Sequence, residues 1–275
     1  VREPVVAGAF YPANAEMLRE MVSGLIGKVE IDEKAISNSC AFVAPHAGYA
    51  YSGQVAAYTY AALRSACRKN AIDSLIVIGP NHTGYGEPIA ISLEDWKTPL
   101  GTVKNDIELS KALAESSTVI STDETAHARE HSIEVQLPFI QKSVGNIKCV
   151  FICMGDQSYN ASMMLAEAIT KTCDAMKRNS AVVASSDFNH YESANIAREK
   201  DMPAIDALKL LDTVKFNDML HRNKDTACGY GPITVAAMFA KNRGAKKGVL
   251  LEYSNSGSTT RDYGSVVAYA SIVFI

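Results

Sequence analysis

Long apolar runs are missing from this 275-residue chain. No stretch approaches the ~20 consecutive apolar residues of a bilayer-spanning helix, so no membrane partner is expected. A basic-then-apolar leader is missing too, and secretion is not expected. Charge of one sign is scarce: 27 basic side chains face 30 acidic ones, for a formal net charge of −3. That mild acidity argues against a nucleic-acid partner. The one basic cluster, Lys241, Arg243, Lys246 and Lys247, falls at a predicted helix end, where cations favour the exposed carbonyls. Cysteines number only 6, without the spacing of a disulfide framework or a zinc knuckle. Cys149 and Cys153 lie inside "IKCVFICMG" and read as small buried residues. Reduced thiols and a cytoplasmic location are the expectation. Linkers, repeats and low-complexity segments are also absent, so residues 1–275 read as one domain.

What is present is an alternation. Apolar strands are predicted in "CAFVAP", "SLIVIGP", "PIAISL", "IKCVFICMG", "SAVVASSDF", "GVLLEYS" and "SVVAYASIVF". Between them, Asn14 caps a helix whose Met17, Leu18, Met21, Val22, Leu25 and Ile26 share a face. Further helices are predicted over Gln54–Arg68, Asp106–Glu115, Ala128–Ser143 and Ala161–Met176. Another starts at Pro203, and one opens at Gly231-Pro232, with proline in the favoured first turn. Continuous apolar strands alternating with helices predict an α/β fold, a mostly parallel or mixed central sheet with helices on both faces. Ligands of such sheets collect beyond the carboxyl ends of the strands.

Two loops leave strands at that edge with the same pattern. "APHAGYAYSG" presents His46 and "LIVIGPNHTGYG" presents His82, each as Pro, His, one residue, Gly-Tyr. One such histidine is more often a surface residue in a tight turn. Two in matching contexts point to paired metal ligands, since neutral imidazole suits zinc, copper and iron. "SSDFNHY" brings Asp187 and His190 to the same edge. Asp187 can orient an imidazole or cap a turn; His190 can act as a general base or stand exposed. "ETAHAREHSIEVQLPFI" offers His127, Glu130, His131 and Glu134, with His127 and His131 an i, i+4 pair if the helix has begun. The two glutamates also read as first-turn acids favouring the helix dipole. Cys228 in "TACGYGPIT" precedes a helix start, a setting that favours thiolate, although alone it reads as a small buried residue.

Taken in order, "VVAGAFYP", "APHAGYAYSG", "GPNHTGYG", "WKTPLG", "EHSIEVQLPF", "SSDFNHY", "CGYGPI" and "YSNSGSTTRDYGSVVAYAS" resemble signatures of the Memo family from Val5 to Ser271. Prokaryotic members resemble protein B of the AmmeMemoRadiSam system, which implies an AMME-type protein and a radical-SAM enzyme as partners. The resemblance implies a fold similar to class III extradiol dioxygenases. It maps metal ligands onto His46, His82 and Cys228, and pocket residues onto Asp187 and His190, with His131 and Glu134 close by. His190 sits where the dioxygenases carry an acid/base histidine. Those enzymes complete their two-histidine site with a carboxylate, where this chain has Cys228. A soft thiolate shifts preference toward copper or zinc and is itself oxidisable, which argues against ring cleavage.

The function these residues imply is a metal-dependent oxidoreductase with one bound transition metal, iron or copper ahead of zinc. His190 would move protons, Asp187 and His131 would orient substrate or water, and Glu134, Tyr49, Tyr85, Tyr191 and Trp96 would line the substrate pocket. The occupant would be a small molecule or peptide, and an oligomer is possible. The competing classes are a non-catalytic metal- or peptide-binding protein and a metal- or thiol-dependent hydrolase with Cys228 as nucleophile.

Overall fold

The computed structural model describes all residues from Val1 to Ile275. In chain order its elements are α1 (Ala15–Gly27), α2 (Glu33–Ile36), β1 (Ala41–Ala44), α3 (Tyr49–Lys69), β2 (Ser74–Pro80), β3 (Ile89–Ser92), β4 (Trp96–Thr98) and β5 (Gly101–Val103). There follow α4 (Ile107–Ser116), β6 (Ser121–Thr122), a 3₁₀ turn (Glu134–Gln136), α5 (Leu137–Val144), β7 (Lys148–Met154), α6 (Tyr159–Ala175) and β8 (Ser180–Ser185). The chain closes with β9 (His190–Glu192), α7 (Ala194–Lys209), α8 (Thr213–Asn223), α9 (Tyr230–Asn242), β10 (Gly248–Asn255), α10 (Gly257–Thr260) and β11 (Val266–Phe274).

Every expected strand forms, and the main ones join a mixed sheet in the order β10-β11-β1-β8-β2-β7-β3-β6, with β9 on β11. The centre, β1-β8-β2-β7, is parallel. Antiparallel β11 and β10 flank it on one side, and β3 on the other. Alternation along each strand sorts side chains to opposite faces. Ala41 and Val43, Ile76 and Ile78, Val182 and Ala184 join one core with helices α4 and α6 to α9. Phe42 and Ala44, Leu75 and Val77, Ala181 and Val183 join the other with α1, α2, α3 and α5. Burying such a large apolar side chain contributes about 1.5–3 kcal/mol, and a one-residue slip would exchange the faces, so the register is well determined. The architecture is a single α/β domain with helices on both faces of a mixed sheet.

Helix starts follow their caps. Asn14 Oδ1 accepts from the Met17 N–H at 3.0 Å, and Asp106 Oδ1 from Leu109 at 3.4 Å. Two expectations need correction. The helix predicted over Ala128–Ser143 begins only at Leu137, after the 3₁₀ turn. Pro138 explains this: deep in a longer helix it would remove a hydrogen bond and clash with the preceding turn, whereas in the first turn it does neither. His127 and His131 are therefore not a helical i, i+4 pair. The second correction concerns α7, which starts at Ala194, capped by Ser193, and runs through Pro203. Its buried face, Ala197, Asp201, Ala204, Ile205 and Leu208, keeps helical spacing across the proline.

Because β1, β8 and β2 are parallel neighbours, their carboxyl ends share one edge. The chain leaves β1 toward α3 on one face and leaves β8 toward β9 and α7 on the other, the arrangement at which ligands of such sheets collect.

Candidate metal centre

His46 follows β1 by two residues, His82 follows β2 by two, and Asp187 follows β8 by two. The fold thus delivers three polar side chains to neighbouring strand exits. The turn over residues 124–133 adds His131. The ring centroids of His46, His82 and His131 lie 5.1, 5.4 and 4.7 Å apart pairwise. Each ring offers one nitrogen such that the three atoms lie within 4.8 Å of one another.

Hydrogen bonds behind the rings assign their protons. Ser185 Oγ donates its only proton to the Ser132 carbonyl at 2.7 Å and accepts from Gln136 Nε2 at 2.7 Å. Its remaining contact, His46 Nδ1 at 2.8 Å, must therefore be a bond it accepts. His46 carries its proton on Nδ1 and turns the Nε2 lone pair toward the cluster. Gln136 is itself oriented, because its Oε1 accepts from the Tyr60 hydroxyl at 2.7 Å.

Glu130 does the same for His82. Fully buried, it accepts from the His82 N–H at 2.5 Å and from His82 Nδ1 at 3.0 Å. It also accepts from the backbone of His131 and Ser132, both at 2.8 Å. Burial alone would raise its pKa, but the His82 hydrogen bond and charge, Ser132 and His131 outweigh that and hold it down at about 2. A carboxylate behind a ligating imidazole fixes its tautomer and strengthens its donor nitrogen. Gly79 makes this approach possible, since a methyl there would collide with the Ser132 side chain.

Burial is the main reason that His46 titrates well below the usual histidine range, with the charges of His131, His82 and His190 adding to it. Burial also lowers His131, against the pull of Glu130. Three imidazoles with convergent nitrogens, two of them anchored from behind, fit a zinc, copper or iron ion.

Around the cluster, Asp187 Oδ1 accepts from the His46 N–H at 2.8 Å. Burial raises its carboxyl pKa to about 7, with the amides of His46 and Ala47 partly offsetting. Cys228 Sγ lies 3.2 Å from His46 Nε2 and accepts from the Asp187 N–H at 3.3 Å. It falls outside the mutually close donor set, in which His131 stands instead. The expected helix-terminus effect on this thiol is overridden: burial first, then the charge of Asp187, pushes its pKa up. His190 is tied through its N–H to Thr226 Oγ1 at 2.7 Å, and its Nδ1 is buried without a hydrogen-bond partner. Burial foremost lowers its pKa. Tyr191 beside it is 78% exposed, with φ of 64°.

Several residues expected to line the pocket are committed elsewhere. Glu134 is buried and saturated by Arg2 Nη1 at 2.7 Å, the Val5 and Val6 amides, and the Tyr11 hydroxyl at 2.7 Å. Trp96 is wholly buried against Phe151 and the Arg2 guanidinium. Tyr49 is interior and donates to the Val135 carbonyl at 2.6 Å. Tyr85 is exposed in the His82 loop. His127 is interior, with Nε2 3.2 Å from the Ala90 carbonyl. Conversely, Ser185, Gln136 and the supporting role of Glu130 escaped the sequence. The one available signal was the adjacency of Glu130 and His131, and the helical reading of that turn hid it.

The family model described as Memo-like protein matches residues 2–273. A "MEMO1 family protein" of Methanosarcina acetivorans is 42% identical over 274 residues, covering 99% of this chain and 98% of its own. One of Nitrosopumilus maritimus is 40% identical over 280 residues and covers 100% of both chains. A solved structure of an uncharacterized Escherichia coli K12 protein superposes with a TM-score of 0.49 at 11% identity, covering 78% of this chain and 92% of its own. The chain belongs to the Memo family.

Proposed function

We propose that this protein holds one transition metal ion on His46, His82 and His131 and works as a metal-dependent oxidoreductase on a small molecule or peptide bound at the same sheet edge. The observation that carries the proposal is the convergence of three ring nitrogens within 4.8 Å, with two of the rings anchored from behind. Iron or copper would supply the redox chemistry when bound. The protein's own residues supply the rest. Cys228 Sγ, 3.2 Å from His46 Nε2, would stand beside an ion held by the three rings. Binding therefore releases a proton if the sulfur joins as thiolate. His190, neutral and with an unpartnered Nδ1, is the base, and Asp187 holds the His46 backbone in place.

The test is anaerobic purification followed by elemental analysis and oxygen-uptake assays across candidate reductants. Stoichiometric iron or copper with oxygen-dependent turnover supports the proposal. Zinc with esterase or amidase activity would replace it with hydrolysis. A tightly held metal with no turnover would leave a binding protein, for which an AMME-type protein or a radical-SAM enzyme is the partner to try first.

A further inference from the structure

Residues 2–11 reach the centre from the far end of the sequence. The buried Arg2 guanidinium spans three acceptors on one short turn: Nε donates to the His127 carbonyl at 2.8 Å, Nη2 to the Glu130 carbonyl at 2.7 Å, and Nη1 to Glu134 Oε2 at 2.7 Å. Its flat face lies 4.0 Å over the Trp96 ring. Glu134 closes the loop by accepting from the Val5 and Val6 amides and from Tyr11. Phe10 then packs on the His131 ring at 4.8 Å. The turn so gripped has no helix or strand of its own, yet it carries both His131 and Glu130. Local bonds such as Glu130 N–H to the His127 carbonyl at 3.3 Å bend it, and Arg2 ties it to the rest of the fold at His127, Glu130 and, where the 3₁₀ turn begins, Glu134.

We propose that Arg2 is a positioning residue for the metal centre, acting through His131, and that metal binding and docking of residues 2–11 are thermodynamically coupled. The proposal rests on the three-histidine centre proposed above. Reciprocity is required by linkage: whatever locks the turn favours the metal, and the metal favours the locked turn. A lysine keeps the charge at this place but cannot bridge three acceptors, because its ammonium is a point donor and not a planar fork.

The experiment is a cobalt(II) titration of four proteins: wild type, Arg2→Lys, His131→Ala and the double variant. Arg2→Lys is expected to weaken binding roughly 10- to 100-fold, the usual cost of losing support behind a ligand. In the His131→Ala background the same substitution should change affinity less than about twofold, since the residue it positions is gone. Equal losses in both backgrounds would mean a general effect on the fold and would overturn the proposal. Strong binding by His131→Ala would overturn it together with the three-histidine centre, whereas weakening by His131→Ala without weakening by Arg2→Lys would overturn it alone. Hydrogen exchange on the wild type gives a second measurement that needs no variant. The Val5 and Val6 amides should exchange several-fold more slowly with cobalt bound, and unchanged rates would contradict the coupling.

Discussion

Glu130 grips His82 twice, taking its backbone N–H at 2.5 Å and its ring Nδ1 at 3.0 Å. The same buried carboxylate takes the His131 N–H, so two strand-distant imidazoles are referred to one anchor. The site is a set of rings held from behind, with its donor atoms facing inward.

Replacing this anchor by glutamine keeps its size and removes its charge and one acceptor oxygen. Glu130→Gln should bind cobalt(II) roughly 10- to 100-fold more weakly than wild type. It should also lose a pH-dependent part of the stability. The folded pKa, about 2, lies below the ordinary 4.5, so the contribution is fully present above 4.5 and disappears as pH falls through 2. Thermal midpoints of the two proteins should therefore differ most near neutrality and converge in acid; a constant gap would contradict the assignment.

A buried carboxyl pair, Asp201 and Asp225, acts with the opposite sign. Burial, then the charge and hydrogen bond of Asp225, raises Asp201 well above the usual carboxylate range, and Asp225 is raised as well. Asp201 ties the Asn189 backbone, next to His190, to the Tyr253 hydroxyl. A raised carboxyl binds its proton in the folded state, so stability falls as pH rises above the ordinary value of 3.8 toward the raised one. Asp201→Asn should flatten that decline. The check is the change in thermal midpoint between about pH 5 and about pH 8, which should be smaller in the variant.

Gly229 places Cys228. A methyl at Gly229 would run into the Ser185 carbonyl and the Ser186 side chain, while its N–H is already bound to Ser186 Oγ at 2.8 Å. Gly229→Ala should cost about 1–3 kcal/mol, the scale of overpacking in a filled interior, and should move the thiol off His46. Denaturant melts and the rate of Cys228 alkylation read these two effects. A variant as stable as wild type with an equally slow thiol would argue against the packing described.

His190 separates catalysis from metal holding. Its Nδ1 is buried and unpartnered, and it is not among the three convergent donors. His190→Gln should keep metal content near that of wild type and lower turnover by about 10²–10⁴-fold, the scale of proton-transfer catalysis. Loss of metal in parallel with activity would make it a ligand.

How much of this was visible beforehand differs by residue. His46 and His82 were legible because each ends an apolar run, and apolar runs become parallel strands whose exits coincide. Asp187 was legible for the same reason. His131 was legible near the pocket only through the resemblance and not as a member of the cluster, because the expected helix over Ala128–Ser143 placed it on a helix, whereas it lies in a turn. Pro138 was the overlooked marker. Glu134 was expected near the pocket from the family resemblance and Trp96 as part of its lining, but Arg2 claims both, and no local pattern announces a pairing with a residue so far off in sequence. Cys228 alone read as a small buried residue, and only the family resemblance brought it to the site, where its Sγ lies 3.2 Å from His46 Nε2 and burial raises its pKa.

The central claim is that His46, His82 and His131 share one metal ion. Cobalt(II) titration followed by visible absorption tests it most directly, on wild type and on the three single alanine variants. The expected result is one equivalent bound by wild type, with at least about tenfold weaker binding in each variant, as the loss of one of three protein ligands requires. Unchanged affinity and an unchanged spectrum in His131→Ala would contradict it.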